Sequence, residues 1–224
     1  MVLVLHLKRT GPSSAWRYNQ GMIQRIALLL GALTPLPAAA QTPTTSPAAQ
    51  APADDLVRVA LDTDKGRIVL ALDRGRAPVT TANFLRYVDG KRFDGIGFYR
   101  AMPYGRDSGL IQAGITRDAR LLYPPIAHEP TSQTGIRHEA GTIAMANAGP
   151  GTARADFFIL AGPIPAFEGN AANPGFAAFG RVVEGMDVVK AILAAPVDPA
   201  KGAGAMKGQM LSEPVTVRTA RRVQ

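Results

Sequence analysis

Two histidine–glutamate pairs, His128-Glu129 and His138-Glu139, are the first residues in this chain whose chemistry suggests a metal site. Neither reads HExxH, the spacing that sets two imidazoles on one helix face around zinc, so a metal is not expected. No Gly-x-Ser-x-Gly elbow or phosphate-cradling glycine motif is present, which removes the usual signatures of serine hydrolases and nucleotide enzymes. What remains is Arg100 behind Phe98-Tyr99, with Gln112 downstream and the pair Phe157-Phe158 further on. A guanidinium offers a planar fork of donors to carbonyl groups and needs neither nucleophile nor cofactor. Taken alone, Arg100 reads first as a surface arginine whose stem covers apolar neighbours.

The elements that would position these residues are short. Val57–Leu61 and Ile68–Leu72 are apolar-rich runs separated by Asp64-Lys65-Gly66, the signature of an antiparallel hairpin. Pro78 opens a helix whose Phe84, Leu85 and Val88 recur on one face, and Asp89-Gly90 ends it. Met186–Leu193 repeats that pattern between Gly185 and Pro196. Further strands are expected near 97–101, 110–114, 142–146, 156–160, 177–183 and 214–219. Adjacent strand residues face opposite ways, so of Phe157 and Phe158 one enters the core and the other does not. Periodicity alone gives an antiparallel β domain with two helices.

The formal charge of +8 shrinks to +4 once Lys8, Arg9, Arg17 and Arg25 of residues 1–40 are set apart. Interspersed charge of that size gives no basic stripe, and a nucleic-acid partner is not expected. From Met22, a candidate true start, the chain reads as a secretory signal. Arg25 is its positive region, Ile26–Leu33 its apolar core and Ala38-Ala39-Ala40 its cleavage site, which predicts a mature protein starting at Gln41 in the periplasm. The apolar core is shorter than the roughly 20 residues of a spanning helix, and without cysteine there is no lipid anchor, so stable membrane insertion is not expected. Residues 41–55 are rich in Pro, Ala and Thr and are predicted to form a flexible tether, leaving 56–224 as one domain.

The order and spacing of Phe98-Tyr99-Arg100, Gln112-Ala113-Gly114, Met145–Pro150, Phe157-Phe158-Ile159 and Phe179-Gly180-Arg181 resemble the cyclophilins, the peptidyl-prolyl cis-trans isomerases, from about Val57 to Val217. The resemblance implies a mainly β fold, a closed eight-stranded antiparallel barrel with a helix capping each end. It implies that Arg100 is catalytic, without cofactor, on proline-containing segments of unfolded or folding exported proteins. Gln112 would bond substrate backbone and hold the arginine, Ala146 and Asn147 would pair with residues preceding proline, and Phe158 would floor the proline pocket. A monomer is the default.

This chain departs from the family pattern at several positions. Met102–Ser108 makes the Arg100-to-Gln112 spacing longer than usual, and Gly109 stands where a pocket phenylalanine is expected, with Leu110 as the replacement wall. Phe176 takes the place of a pocket histidine, Ala171-Ala172 fall where many members carry tryptophan and leucine, and Asp156 replaces a glutamine. Asp156 would orient Arg100 or compete for its hydrogen bonds. The altered pocket opens a rival reading, a peptide-binding module or chaperone with little or no turnover.

Overall fold

The structure is a computed structural model that describes residues 55–224. The predicted leader and nearly all of the predicted tether lie outside the described residues. Asp55, at the tether's end, bonds bidentately through its carboxylate to Arg74 Nε and Nη2, at 2.7 and 2.9 Å.

The strands are β1 (Leu56–Thr63), β2 (Gly66–Asp73), β3 (Ile96–Tyr104), β4 (Ser108–Gly114), β5 (Thr142–Met145), β6 (Phe157–Leu160), β7 (Ala177–Glu184), β8 (Val197–Asp198) and β9 (Met210–Val223). All pairings are antiparallel. Eight strands form a ring in the order β1-β2-β7-β5-β6-β4-β3-β9, and β9 closes it by pairing back onto β1, which removes the free edges. The two-residue β8 is an appendage on β9.

Helices α1 (Pro78–Asp89) and α3 (Met186–Leu193) are the two expected, and the structure adds a single turn, α2 (Thr131–Thr134), ended by Gly135 in the left-handed region. Helix α1 follows the end of β2 and packs Phe84 against Phe93, Phe157 and Phe179, at ring-centroid distances of 5.0, 5.2 and 5.4 Å. Helix α3 lies at the opposite end, where Val188 touches the β1–β2 turn at Gly66. Between them the core holds the fully buried Phe98, Ile111, Ile143 and Leu70.

Met102–Ser108, expected to be a loop, is mostly strand: Met102, Pro103 and Tyr104 pair with Leu110, Gly109 and Ser108 around a turn at Gly105. Pro103 is tolerated because β3 has by then run past β9 and has a partner on one side only.

Candidate active site

One residue decides which way Arg100 faces. Phe98 pairs with Ala113 and both are fully buried, so strict alternation would turn Arg100 into the core as well. The ladder skips Tyr99, and Arg100 pairs directly with Gln112. This β-bulge brings both Tyr99 and Arg100 to the outer face of the barrel, while Ala101 resumes the interior.

On that face lies an apolar groove of about 620 Å³. All seven residues singled out in the sequence line it: Arg100, Leu110, Gln112, Ala146, Asn147, Phe158 and Phe176. Phe158 is the floor, edge-on to Phe176 at 5.2 Å and to Phe167 at 5.5 Å, and His138 stacks beneath it at 6.3 Å. Burial holds the His138 imidazole below its ordinary pKa despite a Glu168 oxygen 3.4 Å from Nδ1, so this ring is a neutral support at physiological pH. Phe157 faces the core, as the alternation requires.

The guanidinium of Arg100 is half-buried and held by neutral acceptors. Nη1 donates to Gln112 Oε1 at 2.8 Å, Nε and Nη2 donate to Gln209 Oε1 at 2.9 and 2.6 Å, and Nη2 also meets Met102 Sδ at 3.3 Å. Burial lowers its pKa, yet an arginine remains cationic. Asp156 is not among the partners of Arg100 in the described residues. It stands three hydrogen bonds away: Arg100 Nη1 donates to Gln112 Oε1, Gln112 Nε2 donates to the Tyr99 hydroxyl at 2.6 Å, and that hydroxyl donates to Asp156 Oδ1 at 2.7 Å. The relay fixes the Gln112 amide with its oxygen toward Arg100. Burial, reinforced by the Asp156 charge, drives the Tyr99 hydroxyl pKa far up, so it stays a donor. Burial also raises the Asp156 carboxyl, against the pull of the Tyr99 bond. Gly114 permits the close approach, since a Cβ there would lie 2.9 Å from Asp156 Cα.

Two departures inferred from the sequence change meaning. Gly109 leaves no hole in the groove: a Cβ there would strike Leu193 Cδ2 and the Met102 carbonyl, both at 2.8 Å, so the position belongs to the packing of α3. Leu110 provides the groove wall. Ala171 and Ala172 are exposed and lie outside the groove, and Phe167 supplies the apolar wall instead. Phe167 and Met102, which line the groove, and Gln209, which bonds Arg100, are residues of the candidate site that the sequence did not single out. Gln209, in a run of Gly, Ala and Lys, carried no local signal.

Residues 57–220 match the family model described as cyclophilin type peptidyl-prolyl cis-trans isomerase/CLD. The chain belongs to this enzyme family. A peptidyl-prolyl cis-trans isomerase of Acinetobacter baylyi is 31% identical over 125 residues, which cover 54% of this chain and 63% of that protein, just under two thirds of its length. One from Streptomyces antibioticus is 35% identical over 132 residues, covering 56% of this chain and 76% of the relative. Among solved structures, a Cryptosporidium parvum cyclophilin type isomerase superposes with a TM-score of 0.60 at 17% identity, covering 75% of this chain and 98% of its own. The same protein in the presence of the dipeptide Ala-Pro gives 0.59. At that identity the likeness is one of fold, and it is the cyclophilin barrel.

Proposed function

We propose that this cyclophilin accelerates cis–trans rotation of X-Pro bonds in exported proteins, with Arg100 as the catalytic residue. The observation that carries the reading is a cationic guanidinium, held only by neutral groups, at the wall of an apolar groove floored by Phe158. The barrier to rotation, about 18–20 kcal/mol, is amide resonance lost on twisting. A donor that bonds the prolyl nitrogen as it becomes pyramidal, and the carbonyls around it, favours the twisted amide over both planar forms. Phe158, Phe167 and Phe176 hold the proline ring, and Ala146 and Asn147 align the residues before it.

X-Pro bonds interconvert unaided in tens to hundreds of seconds, slow enough to limit folding, so general assistance to proline-containing exported chains is the role proposed. Export rests on the leader at Arg25–Ala40, and it predicts that the protein recovered from the periplasm begins at Gln41 by mass spectrometry. We read the protein as a monomer. Binding without turnover is not favoured, because the glycine that suggested a damaged pocket faces α3.

The test is turnover of a short Ala-Pro reporter peptide by residues 41–224 and by its Arg100→Ala variant. Loss of a transition-state donor should slow turnover a hundredfold or more, with little change in melting temperature. Near-wild-type turnover by the variant would refute the assignment.

A further inference from the structure

An arginine has five N–H donors, and their distribution in this groove is specific. Nε–H goes to Gln209 Oε1, Nη2 gives one hydrogen to the same oxygen and one to Met102 Sδ, and Nη1 gives one to Gln112 Oε1. One Nη1 hydrogen has no acceptor among the described residues.

Gln209 is itself anchored on three sides. Its carbonyl accepts from Ala101 N at 2.9 Å, its N–H donates to Met206 O at 3.1 Å, and its side-chain amide donates to Ala205 O at 2.9 Å. Ala205 and Met206 line the groove. The Gln209 amide is therefore fixed in orientation, its nitrogen toward the rim turn and its oxygen toward Arg100.

We infer that Gln209 is a positioning residue for Arg100: its single oxygen, accepting from Nε and Nη2 together, fixes the plane of the guanidinium and reserves one Nη1 hydrogen for the prolyl peptide. Because the acceptor is an amide and not a carboxylate, the cation is oriented without being neutralised, and its charge stays available to the twisted amide. The inference rests on Arg100 being the catalytic group.

The experiment compares wild type, Arg100→Ala, Gln209→Ala and Gln209→Glu. It measures kcat and KM on an Ala-Pro reporter, melting temperature, and the arginine Nε–H resonances in a 15N–1H spectrum, with Arg100→Ala assigning the signal of Arg100. Gln209→Ala should lower kcat about tenfold or more while KM stays within about twofold, since a misplaced group costs the transition state and not ground-state binding. Its Arg100 Nε–H should move and exchange faster with water, with the melting temperature retained. Gln209→Glu should keep that signal hydrogen-bonded and still turn over slowly, because its carboxylate neutralises the cation. An unchanged Nε–H signal in Gln209→Ala, or unchanged kcat in an enzyme that Arg100→Ala inactivates, would overturn the inference. Wild-type turnover by Arg100→Ala would instead overturn the catalytic reading, and the resonance would still decide whether Gln209 holds the arginine.

Discussion

At the scale of single residues, the site solves a conflict between holding a cation and keeping it useful. Asp156 lines the same groove as Arg100 but bonds the Tyr99 hydroxyl through Oδ1, and its hydrogen-bonded link to Arg100 runs through Tyr99 and Gln112. That arrangement leaves a half-buried carboxyl whose pKa in the folded protein is raised above the ordinary 3.8 by burial. A raised folded-state value means the folded protein binds the proton more tightly than the unfolded chain. The stability contribution is then fully present below the unfolded value and is lost as pH rises through the folded one. Asp156→Asn keeps an acceptor for Tyr99 and removes this dependence. Its melting temperature relative to wild type should therefore climb between about pH 3 and pH 7. A relative melting temperature that falls over that range would show that the Tyr99 bond, and not burial, dominates. Arg100, Gln112, Phe158 and Ala146-Asn147 were legible in the sequence because each sits in a short word with fixed neighbours. Gln209 was not, because it meets Arg100 across 109 residues of chain and only the folded barrel brings them together.

At the scale of elements, alternation identified the strands but could not show where it breaks. The skipped Tyr99 is the difference between an arginine in the groove and one in the core. Helix α1 shows a second long-range dependence. Its N-cap position is Ala77, which offers no side-chain acceptor, and the first-turn amides of Val79 and Thr80 donate instead to Glu129, at 3.1 and 2.7 Å, as does the Thr80 hydroxyl at 2.6 Å. The His128-Glu129 pair that drew attention as a metal candidate thus contributes a structural carboxylate. Glu129→Ala should cost about 1–2 kcal/mol in urea unfolding, the worth of a helix cap, with kcat unaffected. A loss of kcat without loss of stability would point to a role in the groove. Gly109→Ala belongs to the same scale: overpacking against Leu193 and the Met102 carbonyl should destabilise by about 1–3 kcal/mol. That cost marks the glycine as a requirement of the β4–α3 contact, which no local pattern in the sequence announces.

At the scale of the whole molecule, the barrel holds itself closed without a cysteine, and the seam between first and last strands bears that task. Residues Arg58–Asp62 pair with Thr219–Val223, Ala220 is fully buried in the seam, and two ion pairs flank it, Arg221 with Asp94 at 2.7 Å and Arg222 with Asp89 at 2.6 Å. Val217 and Ala220 are both fully buried although three residues apart, because the ladder skips Arg218, a break in alternation that the surrounding basic residues do not announce in the sequence. Which part of this seam matters can be separated. Exposed ion pairs contribute about 0–1 kcal/mol each, so Arg221→Ala with Arg222→Ala should shift the urea midpoint only slightly, and less at high salt. A chain ending at Arg218 loses the ladder along β1 and exposes the edges of both seam strands, a template for association. It should unfold without a cooperative transition or aggregate, and its β1 amides should lose hydrogen-exchange protection first. A cooperative transition near the wild-type midpoint in that shortened chain would mean that the other seven strand contacts hold the barrel, and that the seam serves only to cover its edges.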